Sequence, residues 1–148
     1  MVPNELTIGD YVKFQGEIYI VEEISAQGWI HLIYPISGLR LNIVSDYVMH
    51  LLEPVPITPK MLELNDFHKH AIGLYSYEVK YKLSIGVLFL PNANENESKI
   101  VVNISCLSSD KDGRNSLHSC DINYVHELQH SLKLCKLNDL ANNLKVEK

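Results

Sequence analysis

The stretch Leu52-Glu53-Pro54-Val55-Pro56-Ile57-Thr58-Pro59 separates two parts of the sequence that have different patterns. Its three prolines lack a backbone N–H and hold the chain extended, so we expect neither a helix nor a sheet to run through it. Thr58 and Pro59 fit the N-cap and first position of a helix, which we predict from Pro59 to about Asn65. The stretch therefore predicts a boundary between an N-terminal domain, residues 1–55, and a second domain, residues 56–148.

The residues before the boundary form short runs rich in Ile, Val and Tyr, with glycines at the breaks between them. Runs of this kind are typical of short β-strands in a small meander or barrel. The runs are Tyr11–Phe14, Glu17–Ile24, Trp29–Ile36 and Leu39–Val44. Because Ile8-Gly9-Asp10-Tyr11-Val12 is also similar to the first strand of an SH3-like barrel, we predict an SH3-like β-barrel over residues 1–55.

The residues after the boundary change from a strand-type alternation to a helix-type pattern. The predicted strands are Tyr75–Tyr81, Leu83–Phe89 and Lys99–Leu107, with a further short strand at Ser116–Cys120. Asp121 is placed to cap a final helix that runs to about Lys136. We therefore expect an α+β chain, whose second domain is a small antiparallel sheet with a β-β-β-α core packed by the C-terminal helix.

The composition is that of a soluble globular protein. An apolar share of 46% in 148 residues is sufficient for a core without disulfides or metal. Cys106, Cys120 and Cys135 are an odd number without disulfide-type spacing, and no secretory leader precedes them. We expect reduced thiols and a cytoplasmic location. Since no apolar run reaches the roughly 20 residues of a bilayer span, we expect no membrane association.

Charge is uneven along the chain and bears on the class of partner. Residues 1–57 contain two basic and seven acidic side chains, a net charge of −5, whereas residues 58–148 contain eleven of each. Nucleic-acid affinity depends on Lys and Arg that displace counterions from phosphates. The acidic N-terminal part therefore disfavours nucleic acid as a partner.

The pentapeptide His126-Glu127-Leu128-Gln129-His130 is the pattern that would specify a chemistry. On a helix, His126 and His130 are one turn apart and could bind one zinc ion, and Glu127 could act as general base on a metal-bound water. A minimal zinc-dependent hydrolase, with these two metal ligands and this catalytic residue, is therefore an alternative hypothesis.

Helical geometry and missing partners disfavour that hypothesis. At about 100° per residue, Val125, Leu128, Leu132 and Cys135 form one apolar stripe, which we expect to face the core. His126 and His130 lie roughly opposite, so we expect both imidazoles to face solvent or a partner. No third ligand with a zinc-type spacing follows, and the upstream pair His118 and Cys120 does not supply one. We therefore assign no catalytic, cofactor-binding or metal residues.

Three further features have ordinary structural interpretations. His68-Lys69-His70 has an H-x-H spacing but follows a predicted helix, which favours a surface loop. Asp110-Lys111-Asp112-Gly113 lacks the spacing and closing Glu of a calcium loop and fits a hairpin turn. The aromatic residues of the N-terminal part could line a ligand groove or pack in the core; they are Trp29, Tyr11, Tyr19 and Tyr34.

Three stretches together resemble a group of small proteins from bacterial genomes, often of phage or prophage type. They are Ile8–Val12 with the turn at Gly16, the connector LEPVPIT (residues 52–58), and the helix YVHELQ (residues 124–129). In that group the helix follows the pattern V-H-x-L-Q. The resemblance therefore implies that Glu127 and His130 are not needed for the function, and it carries no activity to this chain.

These observations favour a non-catalytic binding or adaptor protein in a bacterial or phage-infected cytoplasm, with a protein or peptide as its partner. The zinc-dependent hydrolase is the alternative, with zinc as its cofactor. Nucleic-acid binding through the barrel is a third hypothesis, which the charge disfavours.

Overall fold

The computed structural model describes residues 6–27, 29–43, 50–79, 83–91, 99–107 and 114–147. Within these residues it has ten strands and three short helices, which form two compact units. The first unit comprises the described residues up to Pro56 together with Tyr124–His126, and the second comprises Ile57–Asn123 and Glu127–Glu147. Two antiparallel sheets accompanied by helices confirm the α+β class.

The first unit contains a five-stranded antiparallel sheet. Its strands are β1 (Tyr11–Phe14), β2 (Glu17–Ile24), β3 (Ile30–Ile33), β4 (Arg40–Ile43) and β5 (Leu52–Pro54). They are ordered β4-β3-β2-β1-β5, so four strands follow in sequence and the fifth returns to pair with the first. The predicted bounds of β1 and β2 are confirmed.

Strand β5 corrects the prediction that no sheet runs through the proline stretch. Phe14 pairs with Leu52 and Val12 pairs with Pro54. Proline is tolerated here because β5 is a short strand at the edge of the sheet, where one missing N–H costs little. The strand ends at Pro54, and Val55 follows it as a buried residue.

The core of the first unit is built from the inward residues of these strands. Its buried members are Leu6, Val12, Tyr19, Val21, Ile30, Leu32, Ile43 and Leu52, with Phe14, Tyr34 and Leu41 packed against them. Tyr19 contacts Tyr34 with ring centroids 5.5 Å apart. This burial of apolar area is the main stabilising contribution to a sheet of such short strands.

The chain enters β1 through a tight turn at residues 7–10. Asp10 is buried, and its two carboxylate oxygens accept hydrogen bonds from the Thr7 N–H (2.7 Å) and the Thr7 hydroxyl (2.9 Å). Gly9 has φ +92° and donates its N–H to the Val21 carbonyl at 2.7 Å. Gly9 thus gives the turn its positive φ, and Thr7 supplies two donors to the buried carboxylate of Asp10.

The second unit contains another five-stranded antiparallel sheet, in sequential order from β10 to β6. Its strands are β6 (His68–Ala71), β7 (Leu74–Val79), β8 (Leu83–Leu90), β9 (Lys99–Leu107) and β10 (Arg114–Ile122). The predicted bounds of β9 are confirmed, but the predicted β-β-β-α core is too small. The sheet also includes His68–Ala71, which is an edge strand rather than a loop. The short strand predicted at Ser116–Cys120 is longer by two residues at each end and pairs with β9 as a full member of the sheet.

Three helices accompany this sheet in the described residues: α1 (Pro59–Leu64), α2 (Val125–Leu134) and α3 (Asn138–Asn142). Thr58 caps α1 as predicted, since its side chain accepts a hydrogen bond from the Met61 N–H at 3.1 Å. Contrary to the prediction, Asp121 does not cap α2. It belongs to β10 and forms an ion pair with Lys99 at 2.8 Å.

Helices α1 and α2 end in the same way. After α1, the Asp66 N–H donates to Glu63 and the Phe67 N–H donates to Leu62. After α2, the N–H groups of Lys136 and Leu137 donate to the carbonyls of Lys133 and Leu132. These are Schellman motifs, although Asp66 and Lys136, both with φ +61°, stand where glycine is usual.

The core of the second unit combines the inner face of its sheet with the buried faces of the helices. Its buried apolar residues are Ile57, Met61, Leu62, Phe67, Tyr75, Ile85, Val87, Ile100, Val102, Ile104, Ile122, Leu128, Leu132, Ala141 and Leu144. None of the helices in the described residues has the length and apolar character needed to cross a membrane.

Candidate functional site

Helix α2, which carries the His126–His130 string, is buried over more of its circumference than the sequence predicts. Its buried residues are Val125, His126, Leu128, Gln129, Ser131 and Leu132. At 100° per residue they span about 220° of the helix, compared with the narrow apolar stripe expected. The prediction that both imidazoles face outward is wrong for His126, which is 4% exposed; His130 is half-buried.

The buried polar side chains of α2 have structural contacts. Gln129 donates its amide N–H to the carbonyl of Ala141 in α3 at 3.0 Å. Ser131 donates its hydroxyl to the Glu127 carbonyl at 3.0 Å. The His126 ring stacks on the ring of Tyr124, with centroids 5.9 Å apart and an interplanar angle of 7°. The hydrogen bonds of Gln129 and Ser131 allow these polar groups in a core, and the His126 ring is buried against Tyr124, so all three residues extend the buried face beyond the apolar stripe.

Glu127, the general base of the hydrolase hypothesis, forms a hydrogen bond at the N-terminus of the helix. Its Oε2 accepts a hydrogen bond from the backbone N–H of Asn123 at 2.7 Å. A carboxylate in the first turn is favoured there by the unpaired N–H groups and by the helix dipole. The geometry therefore gives Glu127 a capping role.

The residues considered as metal ligands do not converge. In the described part of the chain, no three His, Cys, Asp or Glu side chains are placed to hold one ion. Cys120 in β10 has its Sγ 3.3 Å from the Ser131 hydroxyl, which lies roughly 100° or more around α2 from either histidine. His68 and His70 lie on the exposed strand β6, and the His70 ring contacts the Ser76 hydroxyl. The Asp110–Gly113 turn lies outside the described residues.

The four aromatic residues for which both a ligand groove and core packing were considered lie in three environments. Tyr11 and Tyr19 are core residues, and burial raises the pKa of Tyr11. Tyr34 donates its hydroxyl to Glu17 at 3.1 Å, and this hydrogen bond raises its pKa. Trp29 alone among the four is well exposed, at 46%.

Trp29 is held in a defined position at the start of β3. Its backbone N–H donates to the Ser25 hydroxyl, and its carbonyl accepts from the Ser25 N–H, both at 2.9 Å. These two hydrogen bonds join the backbone of Trp29 to Ser25, the residue that follows β2. A fixed backbone presents this large apolar side chain to solvent with little conformational freedom to lose on binding.

Two more exposed apolar residues lie at the same end of the first sheet. Ile24 is the last residue of β2 and pairs with Ile30, the residue that follows Trp29 in sequence. Ile8 precedes Gly9, whose N–H bonds to the second half of β2 at Val21. We call Ile8, Ile24 and Trp29 the Trp29 patch. The sequence analysis did not identify Ile8 and Ile24 as exposed residues. The position of Ile8 in the turn Thr7-Ile8-Gly9, where an apolar residue is unusual, is a signal that could have identified it.

The second unit has a separate concave surface of about 730 Å³. Its polar lining includes Tyr77, Glu78, Lys136, Asp139 and Asn143. Among the described residues, this lining includes two carboxylates, Glu78 and Asp139, and one ammonium group, Lys136.

Comparison of the chain with family models, curated proteins and solved structures finds no match.

Proposed function

We propose that this chain is a non-catalytic binding protein that recognises a protein segment through the Trp29 patch of its first unit. The observation that carries the proposal is the 46% exposure of Trp29, whose backbone is held to Ser25 by two hydrogen bonds. Tryptophan is the residue type most enriched at the energetic centres of protein interfaces. A large exposed side chain on a backbone held by hydrogen bonds is the arrangement expected of such a centre.

We further propose that the first unit is an SH3-like barrel. The strand order β4-β3-β2-β1-β5 supports this, because the fifth strand returns to the first instead of extending the meander. The register of β2 against β3 shifts between Val21 and Glu23, and such irregularities let a long strand bend. Small barrels of this kind commonly bind extended peptides.

The charge of the first unit specifies the chemistry of the partner. Residues 1–57 have a net charge of −5, and the exposed Glu23 directly precedes Ile24 of the patch. Complementary potentials accelerate association and exclude partners of like charge. The proposed partner is a peptide segment with basic side chains flanking apolar ones. The resemblance to phage- and prophage-type proteins suggests a bacterial or phage-infected cytoplasm as the setting.

The zinc-hydrolase alternative gains no support from the arrangement of α2. Catalytic zinc sites take three protein ligands and keep one position open to substrate. His126 is buried, Glu127 caps the helix, and the described residues supply no converging third ligand. Chelator-free metal analysis tests the point directly. Stoichiometric zinc that is lost in His130→Ala would contradict the binding proposal and favour the hydrolase.

A displayed library of random peptides, panned against the purified chain, tests the binding proposal. We expect enrichment of sequences that combine basic and apolar residues, and loss of that enrichment on Trp29→Ala. Ile72→Ala is the matched control, because Ile72 is a 98% exposed apolar residue of the second unit. Enrichment that survives Trp29→Ala, or that is lost equally in both variants, would refute the role of the patch.

The selected peptides can then be measured without a label. The chain has one tryptophan, so its fluorescence reports on the patch alone. Burial of the indole by a bound peptide is expected to shift the emission to shorter wavelength with a saturable dependence on peptide concentration. Binding without any change in emission would place the peptide elsewhere on the protein.

A further inference from the structure

Two cysteines of the second unit approach the same serine. The Sγ atom of Cys120, in β10, lies 3.3 Å from the hydroxyl oxygen of Ser131 in α2. Ser131 already donates its single hydroxyl proton to the Glu127 carbonyl, so in this contact the Cys120 thiol is the donor and the serine oxygen accepts. Cys120 therefore points at the helix.

Cys135 lies one helical turn beyond that serine. Its N–H donates to the Ser131 carbonyl at 3.3 Å, which continues the helical pattern past Leu134. Residues four apart on a helix have Cβ atoms about 5–6 Å from each other on one face. The side chain of Cys135 is thus the next one along the face that Cys120 contacts.

The electrostatics of the pair agree with this placement. Desolvation and, secondarily, the neighbouring Cys120 thiol raise the pKa of Cys135. Cys135 directly follows the last residue of α2, Leu134. Both thiols are half-buried, so small reagents can reach them while bulk solvent access is limited.

We propose that Cys120 and Cys135 are a reversible modification site, which a small-molecule disulfide converts to an intrachain disulfide. The Cys120 thiolate attacks one sulfur of the reagent, which forms a mixed disulfide and releases one small thiolate. The Cys135 thiolate then attacks the Cys120 sulfur, which forms the intrachain bond and releases the second thiolate. The two cysteine protons are transferred to the released thiolates, and the reagent gains the two electrons that the protein loses.

Cys106 supplies an internal control. It pairs with Asn115 across the sheet, whereas Cys120 pairs with Val102, four residues earlier in β9. At about 3.3 Å per residue this separates Cys106 from Cys120 by roughly 13 Å along the sheet, beyond the reach of a disulfide. The folded chain should therefore form one crosslink and keep the Cys106 thiol.

The experiment uses the folded chain, incubated with glutathione disulfide at about pH 8.5, near the pKa of an ordinary thiol, and then quenched with an alkylating agent. We expect a mass loss of about 2 Da, a fall from three titratable thiols to one, and a linked peptide pair containing Cys120 and Cys135. Dithiothreitol should restore all three thiols. Cys106→Ser should keep the crosslink, and Cys135→Ser should stop at the glutathione adduct.

The linkage map of the unsubstituted chain decides the outcome even if a variant folds poorly. Intermolecular dimers alone, glutathione adducts alone, or a bond that includes Cys106 would each overturn the proposal. The result is independent of the Trp29 patch, because peptide binding is measured on the first unit and the crosslink is mapped in the second.

Discussion

Some buried polar side chains of the second unit form hydrogen bonds to residues far away in sequence, whereas buried Asp10 in the first unit bonds to a near neighbour. In the first unit, buried Asp10 bonds to Thr7, three residues away. In the second, Gln129 bonds to Ala141 twelve residues away, and Asn65 bonds to Lys145 eighty residues away. A local bond can be inferred from a short motif such as Gly-Asp before a strand. A long-range bond depends on how the chain has already folded, and its loss should therefore affect more of the structure.

The largest expected effect comes from Asn65→Ala. The Asn65 amide donates to the carbonyls of Met61 (2.8 Å) and Lys145 (2.7 Å), and its oxygen accepts from the Lys145 N–H (2.7 Å). Truncation leaves these backbone groups in a partly buried region without their partner, and we expect a loss of about 3 kcal/mol in unfolding free energy. Urea denaturation measures it. Asn143→Ala is the control, since Asn143 is exposed and makes one local bond, to Asp139. Equal losses of unfolding free energy in the two variants would contradict the distinction between long-range and local hydrogen bonds.

Gln129→Leu tests the second long-range bond with little change in volume. The substitution leaves the Ala141 carbonyl without its donor in a buried site, and we expect a destabilisation of about 2 kcal/mol. Leu134→Gln, at a 73% exposed position of the same helix, should change stability by less than about 0.5 kcal/mol. If both substitutions have the same effect in urea denaturation, the Gln129 bond does not stabilise the fold as argued.

Asp10→Ala tests the local bond of the first unit. Loss of the two bonds from Thr7 should cost about 1.5 kcal/mol, because the freed N–H and hydroxyl are partly solvated and can bond to water. Hydrogen exchange should accelerate at Gly9 and Val21, which close the same turn, and stay unchanged in β9. Glu23→Ala, at an exposed position, is the control. Faster exchange throughout both sheets would show that the turn is not a local feature.

The same distinction explains which elements could be predicted from the sequence. Strands β1, β2 and β9 and the capped helix α1 depend on alternation, glycine turns and the Thr-Pro pair, which are all local. Strand β5 was missed because its proline argued against a sheet, although a three-residue edge strand tolerates it. Strand β6 was missed because all its residues are polar or small and exposed, so it shows no alternation.

The candidate site was predicted less well, because apolar periodicity identifies only part of a buried face. His126 and Gln129 are buried, as are their helix neighbours Val125 and Leu128. Because His126 and Gln129 are polar, the pattern of apolar residues does not predict their burial. Glu127 and His130, which lie next to them in the helix, are half-buried. His126 and Gln129 therefore belong to the packed face of the helix.

The smallest expected effect concerns the Schellman motif after α2 in the second unit. The sequence does not indicate this motif, because Lys136 and not glycine occupies its positive-φ position. Lys136 adopts φ +61° after α2, a conformation that costs a residue with a Cβ about 1–2 kcal/mol. Glycine removes this cost but loses about 0.5–1 kcal/mol of backbone entropy, so Lys136→Gly should stabilise the chain by about 0.5–1 kcal/mol. Asp66→Gly, in the equivalent motif after α1, should gain less, because Asp tolerates positive φ better than Lys. Lys136→Ala should gain nothing, since alanine keeps the Cβ. If the alanine variant is as stable as the glycine variant in urea denaturation, the gain comes from removing the lysine side chain and not from relieving the backbone.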